Sequence, residues 1–266
     1  MGQALCICSP VSITIENKKY YFVQKLAEGG FSYVDKVEGA KDGCYYAVKR
    51  ILCHDREGRQ EAQTEVEMHQ LFNHPNILTL VAHTFTDCEG KTEAWLLLPY
   101  FRKGTLWTHL ENLRDKARFL PEYEVLEILH GICSGKAMHD KGYAHRYFLP
   151  MCIDITHLKQ CIAKIKYASK PKLSSTLVQS LGCVLYCMMM LEGPYDMIFQ
   201  KGDSVALAVQ NPVSIPQPCR YSQSLQTLLS SIMVSNPLER PHINWVLDQV
   251  QALQAQTPVG SSTSQR

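Results

Sequence analysis

Residues 26–34 of this 266-residue chain read Leu-Ala-Glu-Gly-Gly-Phe-Ser-Tyr-Val, a stretch with a Gly-Gly pair near its centre. It lies between two of the four runs with strand character in residues 11–50. The four runs are residues 11–15, 20–23, 33–37 and 45–49. Strand, glycine turn and strand in this order suit a loop whose backbone approaches phosphate groups, and Gly29 would permit that approach. A plain hairpin with a Gly-Gly turn would look the same, so the stretch alone leaves both interpretations open.

The next two elements strengthen the first interpretation. The fourth strand ends in Ala-Val-Lys at Lys49, and residues 61–72 predict an amphipathic helix that contains Glu65. Taken singly, each charge suits a solvated surface. Together, ahead of Asn-His-Pro-Asn-Ile at residues 73–77, they resemble the lysine strand and the glutamate helix of a protein kinase.

Residues 95–101 read Trp-Leu-Leu-Leu-Pro-Tyr-Phe and predict a buried strand that runs into a linker. A plain core strand would have the same periodicity. In a kinase this linker binds adenine through its backbone, and the resemblance makes Leu98 the gatekeeper. The resemblance also gives the expected walls of the adenine pocket, which are Leu26, Val34, Ala47 and Phe101.

Residues 142–152 read Gly-Tyr-Ala-His-Arg-Tyr-Phe-Leu-Pro-Met-Cys and resemble a kinase catalytic loop, H-R-D-L-K-P-x-N, with its chemistry replaced. Tyr147 stands at the catalytic Asp, Leu149 at the loop Lys and Cys152 at the metal-binding Asn. No Asp-Phe-Gly or Ala-Pro-Glu follows. Leu177 occupies the place of an Asp that supports the loop in the family.

The chain resembles an acylated serine/threonine kinase of the Numb-associated kinase family. Four pieces carry this: the first nine residues, the glycine loop, the strand before the linker, and residues 193–204. The resemblance implies a bilobal α+β fold with an antiparallel-sheet N-lobe and a mostly helical, truncated C-lobe. It also implies ATP and Mg²⁺ as ligands, Ser/Thr hydroxyls as substrate, and the cytoplasmic face of Golgi or perinuclear membranes as the location.

The resulting domain organisation has four parts. Residues 1–10 are expected to form an acylated segment, 11–101 the N-lobe, 102–255 a C-lobe without a normal activation segment, and 256–266 a disordered polar tail.

Composition narrows the function classes. The net charge of +2 is too small to indicate nucleic acid. Eleven cysteines without a secretory signal indicate a reducing compartment, and the absence of a CxxC pair argues against zinc. The longest apolar run, residues 181–191, is shorter than the ~20 residues of a membrane span, so a buried helix is predicted.

The N-terminus reads Met-Gly-Gln-Ala-Leu-Cys-Ile-Cys-Ser. Gly2 is the residue that a myristoyl group requires, and Cys6 and Cys8 could take palmitate. Cys6 replaces the usual Ser or Thr of the motif, so the match is partial. An ordinary disordered terminus with two thiols is the alternative. Acylation would make the membrane the partner of this segment, and the kinase resemblance leaves protein partners open as well.

Residues 148–176 leave little room for a metal-binding strand and a full activation segment. Asp154 is the only carboxylate between Arg146 and Glu192, and the five lysines of the segment suit either an anionic-lipid patch or a solvated surface. The lysines are Lys159, Lys164, Lys166, Lys170 and Lys172. Arg240 lies in a motif whose arginine normally pairs with the missing Ala-Pro-Glu glutamate, so a less stable C-lobe is expected.

Three hypotheses follow. The first is an active kinase with an improvised site of Lys49, Glu65 and Asp154. The second is a lipid-anchored pseudokinase, and the third is a non-functional truncated product. The residues favour kinase lineage with phosphotransfer lost or nearly lost, ATP still able to bind, and Mg²⁺ not expected to bind normally.

Overall fold

The computed structural model describes residues 11–29, 32–88, 91–134, 143–145, 165–167 and 172–256. The chain divides into two compact units. The first unit comprises Met1–Asn73 and Leu78–Tyr100, and the second comprises His74–Ile77 and Phe101–Arg266. The predicted α+β architecture, an antiparallel sheet followed by a mostly helical part, is confirmed.

The first unit is built on a six-stranded antiparallel sheet in the order β1-β2-β3-β4-β6-β5. Its strands are β1 Ser12–Ile15, β2 Lys18–Gly29, β3 Ser32–Gly39, β4 Tyr45–Cys53, β5 Ala82–Cys88 and β6 Lys91–Pro99. A two-residue turn joins β1 to β2, with φ 46° at Glu16 and φ 61° at Asn17. Left-handed conformations at both central residues match the twist of a hairpin, which explains the tight pairing of β1 with β2.

Helix α1, Arg56–Leu71, packs on one face of this sheet. It begins earlier than the predicted residue 61, because Asp55 caps it by accepting a 2.7 Å hydrogen bond from the Gly58 N–H. Buried side chains of α1, β4 and β6 meet between helix and sheet: Cys53, Ala62, Val66, Ala94 and Leu96. A second cluster fills the opposite face: Ile15, Tyr20, Val37, Val48, Ala82 and Leu97. Both faces of β4 are therefore buried.

The described part of the second unit is mostly helical. Its helices are α2 Leu106–Asp115, α3 Glu122–Ser134, α4 Lys172–Met190, α5 Asp196–Gln200, α6 Val205–Ala208, α7 Gln223–Ile232 and α8 Ile243–Gln256. Strands β7, Tyr143–His145, and β8, Ile165–Tyr167, form a separate antiparallel pair. The sequence did not predict β8.

The apolar run at residues 181–191 lies in α4 and just beyond its end, and it supplies the centre of the second unit's core. Leu181, Val184, Leu185 and Met188 are fully buried there. No helix within the described residues is long and apolar enough to cross a membrane. The predicted buried helix is therefore present in the structure.

Gly182 lets α4 approach α7 closely. A Cβ at this position would lie 2.4 Å from Met233 Sδ and 2.7 Å from Ile232 Cγ2. We expect Gly182→Ala to lower the free energy of unfolding by about 1–3 kcal/mol, the usual cost of overpacking. Gly58→Ala is the control, because its Cβ would meet nothing closer than 3.4 Å. Urea denaturation checks this, and equal stability of both variants would contradict it.

Candidate nucleotide site

Lys49 and Glu65 form an ion pair between β4 and α1. The Lys49 Nζ donates a hydrogen bond to Glu65 Oε1. The two side chains are only 10% and 14% exposed, so little solvent screens the attraction. The pair fixes the ammonium group in place against the sheet and fixes α1 relative to β4. The structure therefore brings together the two charged residues that the sequence singled out.

Strand register places two of the expected wall residues and the gatekeeper Leu98 on the same sheet face as Lys49. Val34 lies opposite Lys49 across β3 and β4, and Ala47 lies opposite Leu98 across β4 and β6. Directly opposite residues project to one face, and so do residues two apart on one strand. Val34, Ala47, Lys49 and Leu98 therefore form one surface, and Leu98 is only 5% exposed.

The other expected residues occupy less regular positions. Leu26 lies at a register shift in β2 between Lys25 and Ala27, and it is 38% exposed. Gly29 ends β2 and pairs with Ser32. Phe101 belongs to the second unit, where its carbonyl accepts a 3.3 Å hydrogen bond from the Gly104 N–H.

The residue after Lys49 anchors β4 from the opposite face of the sheet. Arg50 Nε and Nη2 donate to Glu93 Oε2 at 3.1 and 2.9 Å, and Nη1 lies 3.5 Å from Asp35 Oδ2. Trp95 Nε1 donates to the same Glu93 oxygen at 2.7 Å. Burial lowers the pKa of Arg50, but the hydrogen bond and the charge of Glu93 outweigh it, so the pKa lies above its ordinary value.

Sequence reasoning missed this network of Arg50, Asp35, Glu93 and Trp95. Asp35 and Glu93 are 7% and 8% exposed, which is unusual for carboxylates. The available signal was alternation, because in strand β4 a basic residue next to Lys49 must face the other side of the sheet. The acceptors could not be read from spacing, since they come from β3 and β6.

The sequence analysis also did not identify His69. It lies on α1 one turn after Glu65 and is 3% exposed. Its Nδ1 lies 3.0 Å from the Leu78 carbonyl oxygen. Burial lowers the pKa of His69, and the charge of Glu65 opposes that shift only in part.

The catalytic-loop residues are described only at their start. His145 is the last residue of β7 and pairs with Ile165 of β8. Tyr147, Leu149, Cys152 and Asp154 lie outside the described residues, as do Gly2, Cys6 and Cys8. Leu177 lies within α4. Among the residues that the structure describes, no group of three or more His, Cys, Asp or Glu side chains could hold a metal ion.

Arg240 has partners that the motif did not predict. Its Nε donates to the Val234 carbonyl oxygen at 2.8 Å and its Nη2 to that of Ser235 at 3.0 Å. Backbone acceptors therefore hold the guanidinium, and the expectation of a less stable C-lobe stays a prediction. Burial lowers the pKa of Arg240, with Tyr195 and Cys183 acting in the opposite direction.

Comparison with known proteins fits this geometry. A family model described as the protein kinase domain matches residues 20–150. Serine/threonine-protein kinase 16 of Homo sapiens is 50% identical over 305 aligned positions, covering 100% of this chain and 100% of the relative. The Mus musculus and Rattus norvegicus proteins of the same name are 50% and 49% identical, again over 100% of both chains.

Two further points follow from these alignments. Because 305 aligned positions cover a chain of 266 residues, at least 39 positions of the human alignment are gaps in this chain. A protein kinase domain binds ATP in general, and the ion-paired Lys49 fits that ligand. The chain belongs to the serine/threonine protein kinase family, beside the proteins named serine/threonine-protein kinase 16.

Proposed function

We propose that this chain is a membrane-anchored member of the Numb-associated kinase group that keeps an ATP-binding first unit and has lost nearly all phosphotransfer. The proposal of ATP binding rests on the buried Lys49–Glu65 ion pair. The proposed loss of phosphotransfer rests on the sequence, in which Tyr147 and Cys152 replace the loop's Asp and Asn.

The first unit supplies what ATP requires from it. Lys49 would bind phosphate oxygens, and its pairing with Glu65 holds the ammonium at a fixed point, so less ordering is needed on binding. Val34, Ala47 and Leu98 offer an apolar surface on the same face for the base. ATP itself would supply the transferable phosphoryl group.

The loop sequence removes the groups that act on that phosphoryl group. Tyr147 offers a phenol in place of a carboxylate, and a phenol with its ordinary pKa of about 10 does not act as a general base toward a substrate hydroxyl at neutral pH. Cys152 offers sulfur, whereas Mg²⁺ prefers oxygen ligands. Asp154 is the single carboxylate between Arg146 and Glu192, and kinase chemistry needs one carboxylate for the hydroxyl and another for the metal.

A thermal-shift experiment tests the nucleotide half of the proposal. We expect ATP to stabilise the chain by about 2.7 kcal/mol at a hundredfold excess over its dissociation constant, with or without Mg²⁺. The same shift should be absent in Lys49→Ala, which removes the phosphate contact. Lys41→Ala is the matched control, because Lys41 is an exposed lysine of the β3–β4 turn. A shift that appears only with Mg²⁺ would favour a complete metal site.

That outcome would support the second candidate, an active kinase with a non-standard site. The full-length 50% identity to proteins named as kinases favours it. The third candidate, a truncated product without function, is favoured by the gap of at least 39 aligned positions. Detection of a stable endogenous protein would exclude the third candidate, and failure to find the protein alongside its transcript would support it.

Membrane anchoring is proposed from Gly2, Cys6 and Cys8. One myristoyl chain binds a bilayer only marginally, and a second acyl chain makes the anchor stable. We expect both Gly2→Ala and the double variant Cys6→Ser, Cys8→Ser to move from the Golgi membrane fraction to the soluble fraction. Cys44→Ser is the control, because Cys44 is an exposed thiol of the first unit. Unchanged membrane partition of both variants would reject the proposal.

A further inference from the structure

His69 is a buried titratable group on the helix that carries Glu65, and its surroundings determine which ring nitrogen carries the proton. The Leu78 carbonyl oxygen, 3.0 Å from Nδ1, can only accept a hydrogen bond. Nδ1 must therefore carry the hydrogen in the neutral ring, and a further proton must be taken up at Nε2. The ring's bond to Leu78 holds the last turn of α1 against the segment that precedes β5.

Two charges act on this ring. Glu65 lies one helical turn earlier on the same face of α1, and Lys49 of β4 is ion-paired with Glu65. Leu78 contributes only its backbone carbonyl to the contact. Both charged groups act on the proton of His69, with Glu65 favouring the imidazolium and Lys49 opposing it. Reciprocally, a proton on His69 must act on the Lys49–Glu65 pair.

We propose that His69 is a positioning residue for the Lys49–Glu65 pair, whose neutral ring holds α1 in place and whose protonation loosens Lys49. The imidazolium becomes a second cation for one carboxylate, so it attracts Glu65 and repels Lys49. The ring is 3% exposed, so water screens neither effect well. Nucleotide affinity should therefore fall as the medium becomes acidic. This inference rests on the proposed ATP-binding function and adds a proton-dependent control to the same site.

The test compares the full chain with His69→Asn. The asparagine amide can replace the Nδ1–H donor to Leu78 but cannot take up a proton near neutral pH. ATP affinity is measured without Mg²⁺ between about pH 8 and about pH 5, a range that extends well below the ordinary histidine pKa because burial lowers the pKa of His69. The protonation of ATP itself is the same for every protein and cancels in the comparison.

We expect the wild-type affinity to fall about tenfold more than that of His69→Asn across this range. This corresponds to a difference of about one unit between the pKa of His69 in the free chain and its pKa in the ATP-bound chain. His242→Asn, which replaces an exposed histidine of the second unit, should follow the wild type. Identical pH curves for the wild type and His69→Asn would overturn the proposal.

A second measurement separates this inference from the proposed function. If the wild type binds no ATP at about pH 8, the nucleotide proposal fails, and His69 is then tested alone by NMR titration of its imidazole. If His69→Asn does not fold, the NMR titration of His69 in the wild type tests the proposal instead. Glu65→Gln should lower the midpoint of the His69 titration, because it removes the anion that favours the imidazolium. An unmoved midpoint would overturn the coupling between His69 and the pair.

Discussion

Incubated with radiolabelled ATP, Mg²⁺ and a generic Ser/Thr substrate, the full chain is expected to transfer no measurable phosphate to the substrate or to itself. Losing a general base alone costs about 10²–10⁴-fold in rate. In the proposed alignment of the loop, Tyr147 stands where the base would be, Cys152 stands where a metal ligand would be, and no Asp-Phe-Gly supplies the second ligand. Such groups act as a unit, so the deficits do not simply add, but any one of them is enough to silence the reaction.

Variants that restore one or two of the missing residues show whether a single substitution or the whole set of missing groups abolishes phosphate transfer. Tyr147→Asp should stay inactive, because it restores the base without the metal ligands. The double variant Tyr147→Asp, Cys152→Asn should also stay inactive, because the Asp-Phe-Gly carboxylate is still missing. Lys49→Ala is the control for contaminating kinases. Phosphate transfer by the wild type that disappears in Lys49→Ala would show a working site and would make the active-kinase candidate the better one.

The second large effect concerns Arg50. Arg50→Met is expected to lower the free energy of unfolding by about 3 kcal/mol, near the lower end of the cost of breaking a buried ion pair. It leaves Glu93 and Asp35, whose side chains are each 10% exposed, without their guanidinium. The lower end applies because Arg50 itself is 36% exposed and partly screened by water.

Two further variants sharpen that measurement. The free energy of unfolding of Arg50→Lys should lie between those of the wild type and Arg50→Met, since lysine keeps the charge but loses the paired hydrogen bonds to Glu93. Lys41→Met, at an exposed position, should stay within about 0.5 kcal/mol of the wild type. Urea denaturation followed by circular dichroism gives the stabilities. An Arg50→Met variant as stable as Lys41→Met would show that the network contributes nothing.

Local patterns in the sequence predicted the strands around Lys49, because alternation identifies a strand without knowledge of its partner. They missed the full length of β2, since the register shifts after Phe22 and Lys25 interrupt the alternation. They placed the start of α1 too late, because apolar periodicity begins after the Asp55 cap. Strand β8 was missed because its pairing with β7 is a long-range contact.

The site residues also differ in whether local sequence or long-range contacts determine them. The sequence identified Lys49 and Glu65 from their order along the chain. It could not identify the acceptors of Arg50 or the burial of His69, because both depend on which strands and turns come together. Alternation shows which face a side chain takes, and only the register across β3, β4 and β6 shows what it meets there.

Strand β1 has a mechanical consequence. It lies at the edge of the sheet, and its open end is closed by the hydrogen bond from the Phe22 N–H to the Val11 carbonyl oxygen, at 2.9 Å. A pull on the residues before Val11 would act on this end and break the bonds of the hairpin one after another, which takes less force than breaking them together. Strand β2 remains paired with β3, so the peeling would stop at Lys18. If the proposed acyl groups tether the chain to a moving membrane, β1 would peel away at a lower force than is needed to separate the strands around Lys49.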